Sequence, residues 1–218
     1  MKIGIIAGPN NHPENYIRWV ELSGATAVVI PYNTTSMLKK IAPLNGIVWM
    51  GGSIENKRHT KQYSTYVNNL YTCYTAIKEY NDNGRKFPIW GTCLGFELLV
   101  LFSMHRPSTT LFNYIQTHEL NATRPLVLKK SRLKQWFSKE LLTQMKEPCV
   151  VHHHKLGFDI VPLDGITTVS TENGFINVVE YIDYPFYGVQ FHPERPFNPL
   201  SYQVSYELSC FLFHECKN

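Results

Sequence analysis

A chain of 218 residues, 44% hydrophobic and 17% charged, can bury the core of one α/β domain and is too short for several. The net charge of +4 comes from scattered Lys and Arg with only short clusters such as Lys129-Lys130, so no nucleic-acid partner is expected. No segment is long and apolar enough to span a bilayer, and the five cysteines have neither zinc-type nor disulfide-type spacing, so no membrane, metal or disulfide framework is expected.

Lys2–Ala7 is a short apolar run opening directly into a loop, which predicts a first strand and not a secretory signal peptide. With an odd number of cysteines, a cytoplasmic location is the default expectation. Glu14–Ser23 predicts a helix stopped by Gly24. Thr26–Pro31 and Gly46–Met50 are Val- and Ile-rich runs bounded by Gly, Pro or Asn, as buried parallel strands usually are. From Gln62 to Tyr80 the apolar positions follow the helical period, and a polar run ending at Gly84 closes that helix. Phe87–Trp90 predicts a strand and Phe96–Phe102 a strongly apolar helix. Strands alternating with helices imply an α/β fold: a mostly parallel sheet with helices on both faces.

The second half is less regular. Pro125–Lys129 predicts a strand, and Ser131–Met145 a single helix capped by Ser131. Four strand-like pieces follow, Cys149–His152, Thr167–Thr171, Ile176–Tyr181 and Tyr187–Phe191, with Thr171-Glu172-Asn173-Gly174 as a hairpin signal. A helix over Ser201–His214 closes the chain. No repeat or linker divides it, so residues 1–218 read as a single domain.

Chemistry concentrates at two places. In Gly91-Thr92-Cys93-Leu94-Gly95, small residues flank a cysteine between a strand and a helix, which is what a sharp nucleophile elbow needs. The helix that follows presents free N–H groups and its positive end toward the sulfur. His192 and Glu194 stand two residues apart after another strand, with Pro193 stiffening the turn. A histidine there can take the thiol proton and return it to a leaving nitrogen, and a carboxylate on its other ring nitrogen fixes the tautomer. His152-His153-His154-Lys155 is a third cluster, with His152 and His154 on one strand face. No Cys, Asp or Glu with ligand spacing accompanies them, so no metal is expected.

These motifs carry a family resemblance. Gly91-Thr92-Cys93-Leu94-Gly95-Phe96-Glu97 resembles the nucleophile elbow of class I glutamine amidotransferases. Its Phe-Glu ending is similar to gamma-glutamyl hydrolases, where amidotransferases proper usually carry His-Gln. Gly51-Gly52-Ser53 resembles the family's oxyanion loop, although Met50 stands where proline is common. Tyr187-Gly188-Val189-Gln190-Phe191-His192-Pro193-Glu194 is similar to its His-Pro-Glu segment.

The resemblance implies a flavodoxin-like architecture and a catalytic set of Cys93, His192 and Glu194. It implies the backbone N–H groups of Gly52 and Leu94 as oxyanion donors, and His154 as a substrate contact. Glu97 is either a second substrate contact or an acid that complements the helix dipole. Asn15 and Tyr16 fall where the family places pocket-lining residues. The implied reaction is hydrolysis of γ-glutamyl amides, with poly-γ-glutamyl chains such as folylpolyglutamates as the usual small-molecule substrates. It would proceed through a thioester on Cys93, with no metal or organic cofactor. A homodimer is compatible with this reading. One alternative is a glutaminase-type subunit supplying ammonia to a separate synthetase, which Phe96-Glu97 counts against. Another is an inactive binding protein on the same fold, which the intact Cys93, His192 and Glu194 count against.

Overall fold

The computed structural model describes residues 1–9, 12–52, 60–104, 116–159 and 164–217. Its main sheet has seven strands. Five run parallel: β2 (Thr26–Pro31), β1 (Lys2–Ala7), β3 (Gly46–Trp49), β4 (Ile89–Thr92) and β9 (Phe186–Val189), in that spatial order. Two antiparallel strands, β8 (Phe175–Tyr181) and β7 (Ile166–Glu172), extend the sheet beyond β9. Every residue of β3, β4 and β9 is buried, because helices cover both faces and leave no solvent side for polar residues to occupy.

On one face, α2 (Met37–Ile41), α3 (Lys61–Asp82) and α4 (Leu94–Ser103) bury Tyr66, Leu70, Leu99 and Phe102 against Trp49 and Ile89. On the other, α1 (Glu14–Glu21), α5 (Arg132–Trp136), α6 (Lys139–Gln144) and α7 (Pro199–Lys217) bury Trp19, Leu133, Leu141 and Leu208 with Val48 and Trp90. Strand β1 pairs with β2 on one side and β3 on the other, so successive connections leave it in opposite directions. Such a switch opens a crevice at the carboxyl ends of the strands, where open α/β sheets bind ligands. Segments following β1, β3, β4 and β9 all reach that edge.

The expected α/β architecture is the one observed, with three local differences. Pro125–Lys129 forms no strand. Its Leu126 N–H donates to Met145 O (2.9 Å) and its Lys129 N–H to Val169 O (2.7 Å), so it bridges α6 and β7 without following either. The strand lies just before it, as β5 (Gln116–Arg124), antiparallel to β6 (Val150–Gly157) in a separate two-stranded sheet. The expected single helix over Ser131–Met145 is two helices. Ser131 Oγ accepts from Lys134 N–H (3.0 Å) as anticipated, but Phe137 is extended, and Ser138 Oγ caps a new start by accepting from Leu141 N–H (3.1 Å). Helix α2 has only five residues and too little sequence to show a period. The hairpin at 171–174 forms as its sequence indicates, with Asn173 (φ 50°) and Gly174 (φ 85°) both left-handed.

Candidate active site

The turn at Cys93 is built by neighbours that leave no alternative. Cys93 caps α4 with φ 50° and ψ −112°, a conformation that a side-chain-bearing residue holds only when its surroundings impose it. Here the pairing of β4 with β9 runs one residue further, Cys93 N–H donating to Val189 O (2.8 Å), while Cys93 O accepts the Glu97 N–H (2.9 Å) that opens the helix. The flanking glycines permit the reversal. A Cβ on Gly91 would lie 2.7 Å from Gly95 O, and one on Gly95 would overlap the backbone of Trp49.

His192 arrives from the next strand. Its backbone N–H donates to Val151 O (2.8 Å), docking β6 against the segment that follows β9. Its Nδ1 donates to Glu194 Oε1 at 2.7 Å, which leaves Nε2 bare, buried and without a hydrogen-bond partner among the described residues. Burial, the largest single effect, works against a charged ring, but the interactions with the Glu194 carboxylate and with Cys93 together outweigh it, so the imidazole is held well above the usual histidine range. The place where the two side chains meet is marked by Gly51. The Cβ it lacks would sit 3.0 Å from His192 Cε1, 3.1 Å from Cys93 Cβ and 3.1 Å from the Tyr16 hydroxyl. The structure therefore brings together the expected nucleophile, base and carboxylate.

Of the expected oxyanion donors, Gly52 lines the cavity over Cys93. Leu94 is the first residue of α4, whose leading N–H groups have no partner within the helix. Gly51 N–H is engaged by Tyr16 Oη (2.9 Å). Ser53 lies outside the described residues. Tyr16 is fully enclosed, and burial together with the charge of Glu194 keeps its hydroxyl protonated. With Asn15 it lines the cavity, as the resemblance implied.

The cavity holds about 480 Å³ and is open to solvent. The sheet edge with Cys93, His192 and Glu97 forms one wall, and the β5–β6 ribbon with Leu120, Asn121, His154 and Lys155 forms the other. Glu97 is buried in the wall and does not lie on a solvated first turn. Burial pushes its carboxyl up to about 7, with the hydrogen bond from Gln190 Nε2 to Oε1 (3.0 Å) and the nearby His192 pulling the other way.

His154 also lines the cavity, but both its ring nitrogens are engaged. A carbonyl can only accept, so the 3.0 Å contact with Leu156 O puts the proton on Nδ1. Nε2 must then accept, and the donor at 3.1 Å is His152 Nδ1–H. Burial and the neighbouring imidazoles depress His152 to about 3 and His154 to about 4, so both are neutral at neutral pH. Behind them His118 stacks on Phe175 with centroids 3.7 Å apart. His152 and His154 share a face as the alternation implies, yet among the described residues no group of three or more His, Cys, Asp or Glu is disposed to hold a metal ion. Sequence reasoning missed Gln190, whose only local signal is that it precedes His192 by one strand period.

Residues 12–204 match the family Glutamine amidotransferase class-I. The chain is 31% identical over 196 residues to gamma-glutamyl hydrolase of Homo sapiens and 30% identical to that of Bos taurus, each match covering 83% of this chain. It covers 59% of either relative, so the chain spans less than two thirds of their length. Among solved structures, PurLQS from Thermotoga maritima is similar with a TM-score of 0.67 at 15% identity, covering 98% of both chains, a likeness of fold alone.

Proposed function

The chain belongs to the class I glutamine amidotransferase family, and from that premise we propose that it is a cysteine hydrolase of γ-glutamyl amide bonds. The observation that carries this reading is the convergence of Cys93, the Glu194-bound His192 and the buried Glu97 on one open cavity. The similarity to gamma-glutamyl hydrolases supports the choice of substrate class, with poly-γ-glutamyl chains such as folylpolyglutamates as the candidates.

His192, held above the usual histidine range, already carries the proton taken from Cys93 on Nε2 when sulfur attacks the γ-carbonyl, and Glu194 stabilises that imidazolium. The N–H groups of Gly52 and Leu94 receive the oxyanion. The C–N bond then breaks, and the departing amine takes its proton from His192. Water, deprotonated by the same ring, attacks the thioester and releases the glutamyl carboxylate and the free thiol. Glu97, deep in the wall on the acyl side, is placed to receive the glutamyl ammonium, which would favour its ionised form. His154 shapes the opposite wall, its hydrogen-bonding capacity taken up by Leu156 and His152.

Purified protein incubated with tri-γ-glutamate and, separately, with free glutamine tests the reading. The expected result is release of glutamate or short oligoglutamates far faster than ammonia. Rapid ammonia release from glutamine without cleavage of the oligomer would overturn it in favour of a glutaminase subunit.

A further inference from the structure

The cavity has a direction. Glu97 lies in the helix behind Cys93, so the acyl group extends that way, while His192 must reach the departing nitrogen and so marks the leaving-group side. Arg195 stands on this second side. Its backbone N–H donates to His192 O (3.2 Å), which ties its position to that of the base, and its side chain is exposed on the cavity lining.

Its guanidinium has no hydrogen bond or ion pair among the described residues. Arg18 is likewise exposed and unbonded among the described residues but does not line the cavity, whereas the other described arginines are engaged. Arg85 donates to Ala42 O and Leu44 O, Arg124 pairs with Glu172, and Arg132 donates to Tyr181 O and Tyr184 O. Arg195 instead lines the cavity exposed, with its set of donors unengaged. Of the carboxylates lining the same cavity, Glu194 is bonded to His192, Glu97 is buried on the acyl side, and Glu119 sits on the facing ribbon without a contact to Arg195.

We propose that Arg195 is a specificity-determining residue that binds the carboxylate of the leaving group, selecting γ-glutamyl conjugates of amino acids over those of neutral amines. A guanidinium fork matches a carboxylate in two parallel hydrogen bonds, and a neutral amine offers it nothing. The inference rests on the hydrolase reading above and adds to it a residue and a direction.

The test compares γ-glutamylglutamate with γ-glutamyl methylamide on the wild type, Arg195→Gln and Arg195→Lys. Loss of one partly solvated charge-assisted contact should lower the kcat/KM ratio of the two substrates roughly tenfold in Arg195→Gln, mainly through KM, with part of it restored in Arg195→Lys. The wild-type preference should also narrow as salt is raised. An equal loss on both substrates, or an unchanged ratio, would overturn the assignment while leaving the hydrolase reading intact. A second readout needs no turnover. Alkylation of Cys93 by iodoacetate relative to iodoacetamide should fall in Arg195→Gln. If neither substrate is cleaved, the hydrolase reading fails, and the alkylation ratio alone decides whether Arg195 draws an anion to this site: a fall supports it and no change refutes it.

Discussion

Replacing Gly51 by alanine places one methyl group at the point where Cys93, His192 and Tyr16 meet. The new Cβ would lie 3.0 to 3.1 Å from all three, inside the 3.4 Å at which ordinary contact begins, so each must yield by a few tenths of an ångström. None is free to do so cheaply. Cys93 is fixed in its left-handed conformation by Val189, His192 is held by the 2.7 Å bond to Glu194, and Tyr16 is enclosed and bonded to Gly51 itself. Overpacking of this kind costs about 1–3 kcal/mol of stability, which a domain of this size survives. The effect on chemistry is larger in proportion, because a misplacement approaching 1 Å between reacting groups costs about a hundredfold, and a few tenths should cost roughly tenfold. Steady-state kinetics on γ-glutamylglutamate, run beside thermal unfolding, should therefore show kcat reduced about tenfold in a folded protein. Gly24→Ala is the control: its site, unlike Gly51, is at positive φ (83°) but has nothing within 4 Å, so it should lose about 1 kcal/mol and keep full activity. If Gly51→Ala retains wild-type kcat, the space above Gly51 is not where thiol and imidazole act on substrate.

Cys93→Ala should abolish hydrolysis while circular dichroism stays native, and Cys73, Cys149, Cys210 and Cys216 should each tolerate alanine with activity retained. Glu194→Gln removes the charge that raises His192, so the ring should titrate at lower pH by NMR and kcat should fall by roughly three orders of magnitude. Glu97→Gln should raise KM more than it lowers kcat. It should also change the pH dependence of stability. A carboxyl raised from 4.5 to about 7 binds its proton more tightly folded than unfolded, so the Glu97 contribution to stability falls between pH 4.5 and 7 and is level above. That loss is about 3 kcal/mol in order of magnitude, and urea denaturation at pH 5 and pH 8 should find it missing from the variant.

The parallel half of the fold was readable because its strands are short apolar runs bounded by turn residues, so Lys2–Ala7 and Thr26–Pro31 coincide with the observed strands, even though Thr26–Pro31 is an edge strand with only Ile30 buried. The elbow was readable because small residues flank its cysteine; Gly91 is required by the backbone of Gly95 four residues on, whereas Gly95 is required by Trp49 on a neighbouring strand. Strand β5 was not. Its sequence, Gln-Thr-His-Glu-Leu-Asn-Ala-Thr-Arg, has no apolar alternation and is held as a strand by pairing with β6, some thirty residues on. The break at Phe137 is hidden because the helical pattern continues through it, and only the cap at Ser138 shows a new start. The saturation of both nitrogens of His154 depends on ring orientation, and the bonds from Gln190 to Glu97 and from Gly51 to Tyr16 join residues 93 and 35 positions apart. No local pattern encodes contacts of that range.

The central claim is that Cys93 carries the glutamyl group between the two halves of the reaction. Rapid acid quenching during turnover of γ-glutamylglutamate, followed by digestion and mass spectrometry, tests it most directly. The account predicts a transient gain of one glutamyl group on the peptide containing Cys93, absent from Cys93→Ala and lasting longer when water attack is slowed in Glu194→Gln. Sustained turnover with no adduct on Cys93 under any quench time, or an adduct on a different residue, would contradict it.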